Sequence, residues 1–164
     1  MSTSEQSTQT AAERRAAGAE LRGLVAKLAP THADLVAAVR RWLRKRLPTA
    51  HEVVYEYADC VVVSYTPSGR GYEGVLAIRA GAEGVRLCVG VSGGLPDPEK
   101  LLHGSGKQMR WLDVESASTL RRPAVAALAD GAIAGSRVPF AASGRGPIVL
   151  AAATAKKRRA RPSA

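Results

Sequence analysis

The chain has 164 residues, of which 46% are hydrophobic and 23% charged, and its formal net charge is +10. That length supplies one domain with a single core and tails, and no apolar run approaches the roughly 20 residues that span a bilayer, so a membrane partner is not expected. Aromatic residues make up only 4%, with a single Phe, so the core has to be built from Ala, Val and Leu.

The positive charge is unevenly spread. Residues 151–164 contribute five positives (Lys156, Lys157, Arg158, Arg159, Arg161) and no negatives, and residues 40–46 contribute five more in RRWLRKR. Residues 51–100 are net acidic by three. A basic balance favours contact with polyanions such as nucleic acid, but a basic terminus is a different device from a basic binding surface. Cys60 and Cys88 have no second ligand at zinc-site spacing. With no signal-like segment in the polar, Ala-rich opening, the expectation is a cytoplasmic chain whose thiols stay reduced as small buried hydrophobes.

In chain order, residues 1–18 lack apolar periodicity and are predicted to be a disordered tail. Leu21, Leu24, Val25 and Leu28 predict a short helix over Ala19–Leu28, ended by Pro30. Thr31-His32-Ala33-Asp34 has the form of a capping box, opening a helix that stops at Leu47 before Pro48. Leu35, Val36, Val39, Leu43 and Leu47 form its apolar stripe, with Arg40, Arg41, Arg44 and Lys45 opposite. That basic side reads either as the solvated face of a core-packed helix or as a face that holds phosphates.

The β-branched and aromatic run from Glu52 to Tyr65 predicts strand with a break near Ala58-Asp59. Residues 66–71 form a loop, and Val75–Ala80 and Val85–Val91 flank Gly81–Gly84 as a hairpin. Short successive connections of this kind predict an antiparallel meander. Asp97 and Pro98 read as N-cap and first position of a short helix whose Leu101 and Leu102 dock on the sheet. A loop at 103–106, a last strand over Lys107–Val114 and a helix over Ser116–Gly131, with a second start at Pro123, follow. Residues 137–164 are predicted to lie outside the domain as an irregular, Gly- and Pro-rich segment and a basic tail, leaving 19–136 as the folded unit.

Gly104-Ser105-Gly106-Lys107 invites a phosphate-loop reading, because successive backbone N–H groups can cradle an anion. The full signature is absent: position 101 is Leu, and Gln108 follows the lysine where Ser or Thr is needed. A structural turn is the competing account, and His103, Gly104, Ser105, Gly106, Lys107 and Arg110 stand as candidates for an anion- or ligand-binding corner. Gly-Ser-Gly is too short for a nucleophile elbow, and His32, His51 and His103 are tied by spacing to no nucleophile or carboxylate, so no catalytic residue is assigned and an enzyme is not expected. Trp42 and Trp111 read as core or rim residues, or as stacking platforms. The terminal basic run lacks interleaved aromatics for base stacking.

The stretch Leu95–Val114, LPDPEKLLHGSGKQMRWLDV, resembles the YdhG-like family of small, mostly uncharacterised bacterial domains. The likeness is carried by Leu95-Pro96-Asp97-Pro98, Leu101-Leu102, Gly104, Gly106-Lys107 and Met109-Arg110, and it extends from about Leu21 to Ser136. It implies an α+β domain, an antiparallel β-sheet with helices packed on one face. Some members of that family are described as frataxin-like iron chaperones, and iron transfer needs hard oxygen ligands. The acidic group on offer here is Glu52, Glu56 and Asp59, with His51 beside it, set against the positive charge of the helix where an acidic ridge belongs. Two classes of function follow: a non-enzymatic module binding a small ligand or a metal such as iron, and an accessory protein binding nucleic acid or another polyanion through Arg40, Arg41, Arg44, Lys45 and the terminal basic run.

Overall fold

A computed structural model describes residues 9–151. Apolar side chains alternate along the strands, and that alternation decides where the helices sit. Strands β1 (His51–Glu56), β2 (Cys60–Thr66), β3 (Leu76–Gly81), β4 (Gly84–Gly90), β5 (Met109–Asp113) and β6 (Ile148–Leu150) form one sheet in the order β5-β4-β3-β2-β1-β6. On one face lie Val61, Val63 and Tyr65 of β2, Leu76 and Ile78 of β3, Leu87 and Val89 of β4, and Leu112 of β5. All are buried, and each large aliphatic side chain contributes about 1.5–3 kcal/mol by leaving water.

The same core contains Val36, Val39 and Leu43 of helix α2 (Pro30–Arg46) and Val125, Leu128, Ala129 and Ala132 of helix α3 (Pro123–Ala134). The helices therefore pack on one face, as expected. Helix α1 (Ala11–Val25) lies against β6 and sends Leu21 into the same core.

The α+β class and the meander hold, with corrections at both ends. Helix α1 begins at Ala11, on a capping box in which the Thr10 hydroxyl accepts from the N–H of Glu13 and the Glu13 carboxylate accepts from that of Thr10. Residues 11–18, expected to be tail, are thus helical. The box expected at Thr31 does not form: Pro30 opens α2, the position where its missing N–H is not needed, and Ala29 caps it without a side chain.

Strand β6, expected to be irregular chain, pairs in parallel with β1, so the sheet is mixed. The fold accordingly runs from Gln9 to Ala151, beyond the expected 19–136 on both sides. Asp97 caps a turn rather than a helix: its carboxylate accepts from the N–H groups of Leu101 (2.9 Å) and Leu102 (3.0 Å). The break at 57–59, the β3–β4 hairpin and the helix start at Pro123 stand where expected. Among the described residues no helix is long and apolar enough to cross a membrane.

Candidate anion-binding site

Strand alternation places Glu52 on the apolar face, opposite Tyr65 in β2 and Ile148 in β6. Its side chain is 4% exposed. A carboxylate there is tolerable only if it is neutralised and hydrogen-bonded. Arg40 supplies a two-pronged pair, Nε to Oε2 at 2.8 Å and Nη2 to Oε1 at 3.1 Å. The Tyr65 hydroxyl donates to Oε2 at 2.8 Å, and Arg44 Nη1 lies 3.6 Å from Oε1.

Burial works against the charge on Arg40, but the hydrogen bond and negative charge of Glu52 outweigh it and hold its pKa above the ordinary value. Burial, with the adjacent carboxylate, pushes the Tyr65 phenol well up, so it remains a neutral donor.

A third cation adds to this base. Arg14 of α1 donates through Nη2 to the carbonyl of Gly146, while its Nη1 is shielded from solvent and meets no acceptor among the described residues. Gly146 is fixed by close backbone contact, since a Cβ there would overlap the Ala50 carbonyl, and its N–H donates to the Pro48 carbonyl at 3.2 Å. Burial lowers the pKa of Arg14, as do the charges of Arg44, Arg145 and Arg40, and Glu52 offsets them only in part. The Glu52 carboxylate thus bears on three guanidinium groups, those of Arg40, Arg44 and Arg14.

The expected basic face of α2 is consequently split. Arg40 and Arg44, one helical turn apart, reach inward to Glu52, while Arg41 and Lys45 are exposed. A groove of about 200 Å³ runs between α1 and α2. Leu21, Val25 and Val36 line it, and Arg22 and Arg41 stand along it beside Arg40 and Arg44. Residues 11–46 carry nine Lys and Arg against three Asp and Glu, whereas residues 47–151 carry ten of each. The net charge of the described chain thus resides entirely in residues 11–46, the two N-terminal helices and the link between them that carries Lys27.

The other candidates are placed elsewhere. His103 to Gln108 form one exposed loop that leads into β5, where Arg110 lies, and an antiparallel bridge between His103 and Trp111 closes it. Gly104 has φ +94° and rests on the Trp111 ring, and Gly106 passes close to the Met109 carbonyl, so both glycines answer to turn geometry. Arg110 Nε donates to the Gly106 carbonyl at 3.1 Å, and His103 Nε2 lies 3.7 Å from Asp113, so Arg110 is engaged in closing the turn and His103 faces a carboxylate. The loop reads as a structural turn.

The proposed metal set is not assembled. Glu52 is taken by Arg40, Arg44 and Tyr65, and Glu56 pairs with Lys27 at 3.6 Å. Asp59 stands beyond the end of β1, and burial lowers the pKa of His51 on the opposite face of that strand. Among the described residues no group of three His, Cys, Asp or Glu is placed to hold a metal ion.

Trp42 is half-buried with Arg46 over its ring at 4.3 Å, and Trp111 has Arg86 over its ring at 5.1 Å. Lys156, Lys157, Arg158 and Arg159 lie outside the described residues.

A larger groove of about 760 Å³ lies between the Gly71–Gly74 turn, the loop at 90–96 and the C-terminal end of α3. Glycines make up about a third of its lining, and of its two charged residues Glu73 is already engaged by Ser68 and Arg70 while the other is Arg137.

Sequence reasoning missed Arg14, Arg145 and the role of Tyr65. The signal for Tyr65 was its place opposite Glu52 once the hairpin register is drawn. Comparison with protein-family models, with curated proteins and with solved structures found no match for this chain.

Proposed function

We propose that this chain is a non-enzymatic, YdhG-like binding module that docks phosphate-bearing polyanions, in particular a nucleic-acid backbone, on the face formed by α1 and α2. The observation that carries this reading is the segregation of charge: a net charge of +6 on residues 11–46 and zero on residues 47–151. Arg15, Arg22, Arg41 and Lys45 are exposed on these helices, with Arg15 and Arg22 seven residues apart on one side of α1. Cations held on rigid helices displace condensed counterions from a polyanion at less entropic cost than cations on a free chain.

The test is fluorescence anisotropy with a labelled oligonucleotide at 50 and 200 mM salt. The double variant R41E/K45E changes two exposed side chains and leaves the Glu52 network intact. Each lost phosphate contact lowers the slope of log affinity against log salt by about 0.7–0.9, so the variant is expected to lose about 1.4–1.8 from the slope and at least about tenfold in affinity at low salt. Unchanged affinity and slope would overturn the reading.

One observation favours a second reading, a small-ligand module. The groove beside α3 falls within the roughly 300–1,000 Å³ of ordinary ligand sites. It lacks the convergent, unengaged charged groups that the helical face has. A discrete small molecule retained by the purified protein in native mass spectrometry, and displaced by filling the groove through Ser92→Trp, is what that reading requires.

A further inference from the structure

We propose that the groove beside α3 is a site for a small carboxylic acid with an apolar body. This rests on the second reading above, that the groove holds a small molecule, and it gives that molecule a chemistry. Three features meet in the one cavity. First, of the large hydrophobic side chains exposed among the described residues, Tyr72, Met109 and Val149, two line this groove. Tyr72 is 82% exposed, and its hydroxyl accepts at 3.4 Å from Arg70, which pairs in turn with Glu73. Its ring is thus held at the rim by its polar end, and an apolar ligand that covers it removes that surface from water. Leu95, Pro96 and Val138 extend the apolar lining.

Second, Arg137 lines the same groove, is exposed, and has no ion pair or hydrogen bond among the described residues. With Glu73 already paired to Arg70, the groove carries one uncompensated positive charge. Third, the loop after β4 offers neutral donors. The N–H groups of Ser92 and Gly93 reach no backbone carbonyl among the described residues, whereas that of Gly94 turns back to Val91 at 3.2 Å. Gly93 has φ +88°, a conformation natural to glycine, and a backbone without Cβ lets a ligand oxygen come close.

Charge and shape select the ligand. One cation with neutral amide donors matches one carboxylate, a single negative charge whose two oxygens can accept from a guanidinium and from N–H groups. A phosphate monoester brings close to two negatives for that one cation. The volume of about 760 Å³ suits a small molecule. A peptide has less to hold it, because β4 already lies between β3 and β5, and β5 meets His103 on its outer side, so no clear strand edge is left for it to join.

The experiment is a titration of the full chain with phenylbutyrate and, in parallel, with its neutral amide, followed by NMR shifts of the assigned backbone amides. Saturable shifts are expected at Ser92, Gly93, Gly94 and Gly135, with the amide about tenfold weaker because it lacks the charge. R137Q lowers binding of the acid to the level of the amide and leaves the amide's own affinity unchanged. Tyr72→Ala weakens both probes alike. Both substitutions alter exposed side chains, and unshifted amides in the β1–β2 pair report that the fold persists.

Equal binding of acid and amide, or undiminished binding of the acid by R137Q, would overturn the carboxylate while leaving the groove a small-ligand site. Absence of saturable shifts with either probe at millimolar concentration overturns the inference, and a molecule retained in native mass spectrometry and displaced by Ser92→Trp would still uphold the reading beneath it. Tighter binding of a peptide ending in Leu, lost when its terminus is amidated, overturns the free acid as occupant in favour of a chain terminus.

Discussion

Glu52 is the residue on which the N-terminal half of the molecule turns. Alternation along β1 forces it onto the same face as Val54, and its neighbour across β2 is Tyr65, which is fully buried. A carboxylate in that place commits Arg40 to point inward, brings Arg44 with it, and fixes the hydroxyl of Tyr65. Replacing it by Gln keeps the shape but removes the negative charge that pairs with Arg40 and Arg44. Breaking one side of a buried ion pair costs about 3–5 kcal/mol. Tyr65→Phe removes one donor and leaves the pair intact, at about 1 kcal/mol. Urea unfolding of E52Q and Y65F is expected to show that ordering, with E52Q shifting the midpoint by several times the shift of Y65F. Equal shifts would mean that Glu52 acts as a simple hydrogen-bond acceptor and not as the counter-charge. The sequence showed Glu52 as a polar position in a strand, and a period of two shows that it shares a face with Val54. What it did not show is which helix covers that edge. Arg40 therefore read as one of four cations on an outer face, although half of them turn inward.

At the scale of elements, the errors lie where local signals are weakest. Helix α1 is Ala-rich with two arginines in its second turn, so its first half carries no apolar stripe for a periodicity argument to find. Its capping box at Thr10–Glu13 was the readable signal. Strand β6 has three residues, too few for alternation to register, and its partner β1 is nearly a hundred positions away. It is held by side chains as much as by the ladder: the amide of Gln9 donates to the Ile148 carbonyl at 2.8 Å and accepts from its N–H at 2.9 Å. That amide stands in for a neighbouring strand and blunts the edge against pairing with another chain. Gly146 is the hinge on which this depends, because its backbone passes too close to Ala50 for any side chain. Gly146→Ala is expected to cost about 1–3 kcal/mol through overpacking. It should also accelerate amide hydrogen exchange at Glu52 and Ala151, which bond across the β1–β6 pair, while exchange within the β3–β4 hairpin is unchanged. Uniform acceleration across the sheet would instead make β6 part of one cooperative unit with the meander.

For the whole molecule, charge divides a neutral body from a cationic cap, the pair of N-terminal helices. The strands, α3 and their loops balance ten cations against ten anions, so their fields largely cancel beyond a Debye length of about 8–10 Å. The cap does not cancel, and a polyanion approaching from any direction is steered toward α1 and α2. Residues 152–164 add five more cations at the other end of the sequence, next in chain to a strand whose outer neighbour is α1. Two sources of attraction are therefore available, and they make different arithmetic predictions. Deleting residues 152–164 removes at most five contacts and lowers the magnitude of the salt slope by no more than about 4–5 on duplex DNA. If the helical cap is the docking surface, the truncated chain still binds with a measurable slope, and adding R41E/K45E to the truncation removes most of what is left. If the terminal run is the docking element, truncation alone abolishes binding at 50 mM salt and R41E/K45E in the full chain changes nothing. The fixed geometry of the cap is the reason the first outcome is the expected one. Arg40, Glu52 and Arg14 hold the helices to the sheet in one arrangement, so their exposed cations present a constant spacing to successive phosphates, and contacts made from one rigid surface reinforce one another without a separate ordering cost for each.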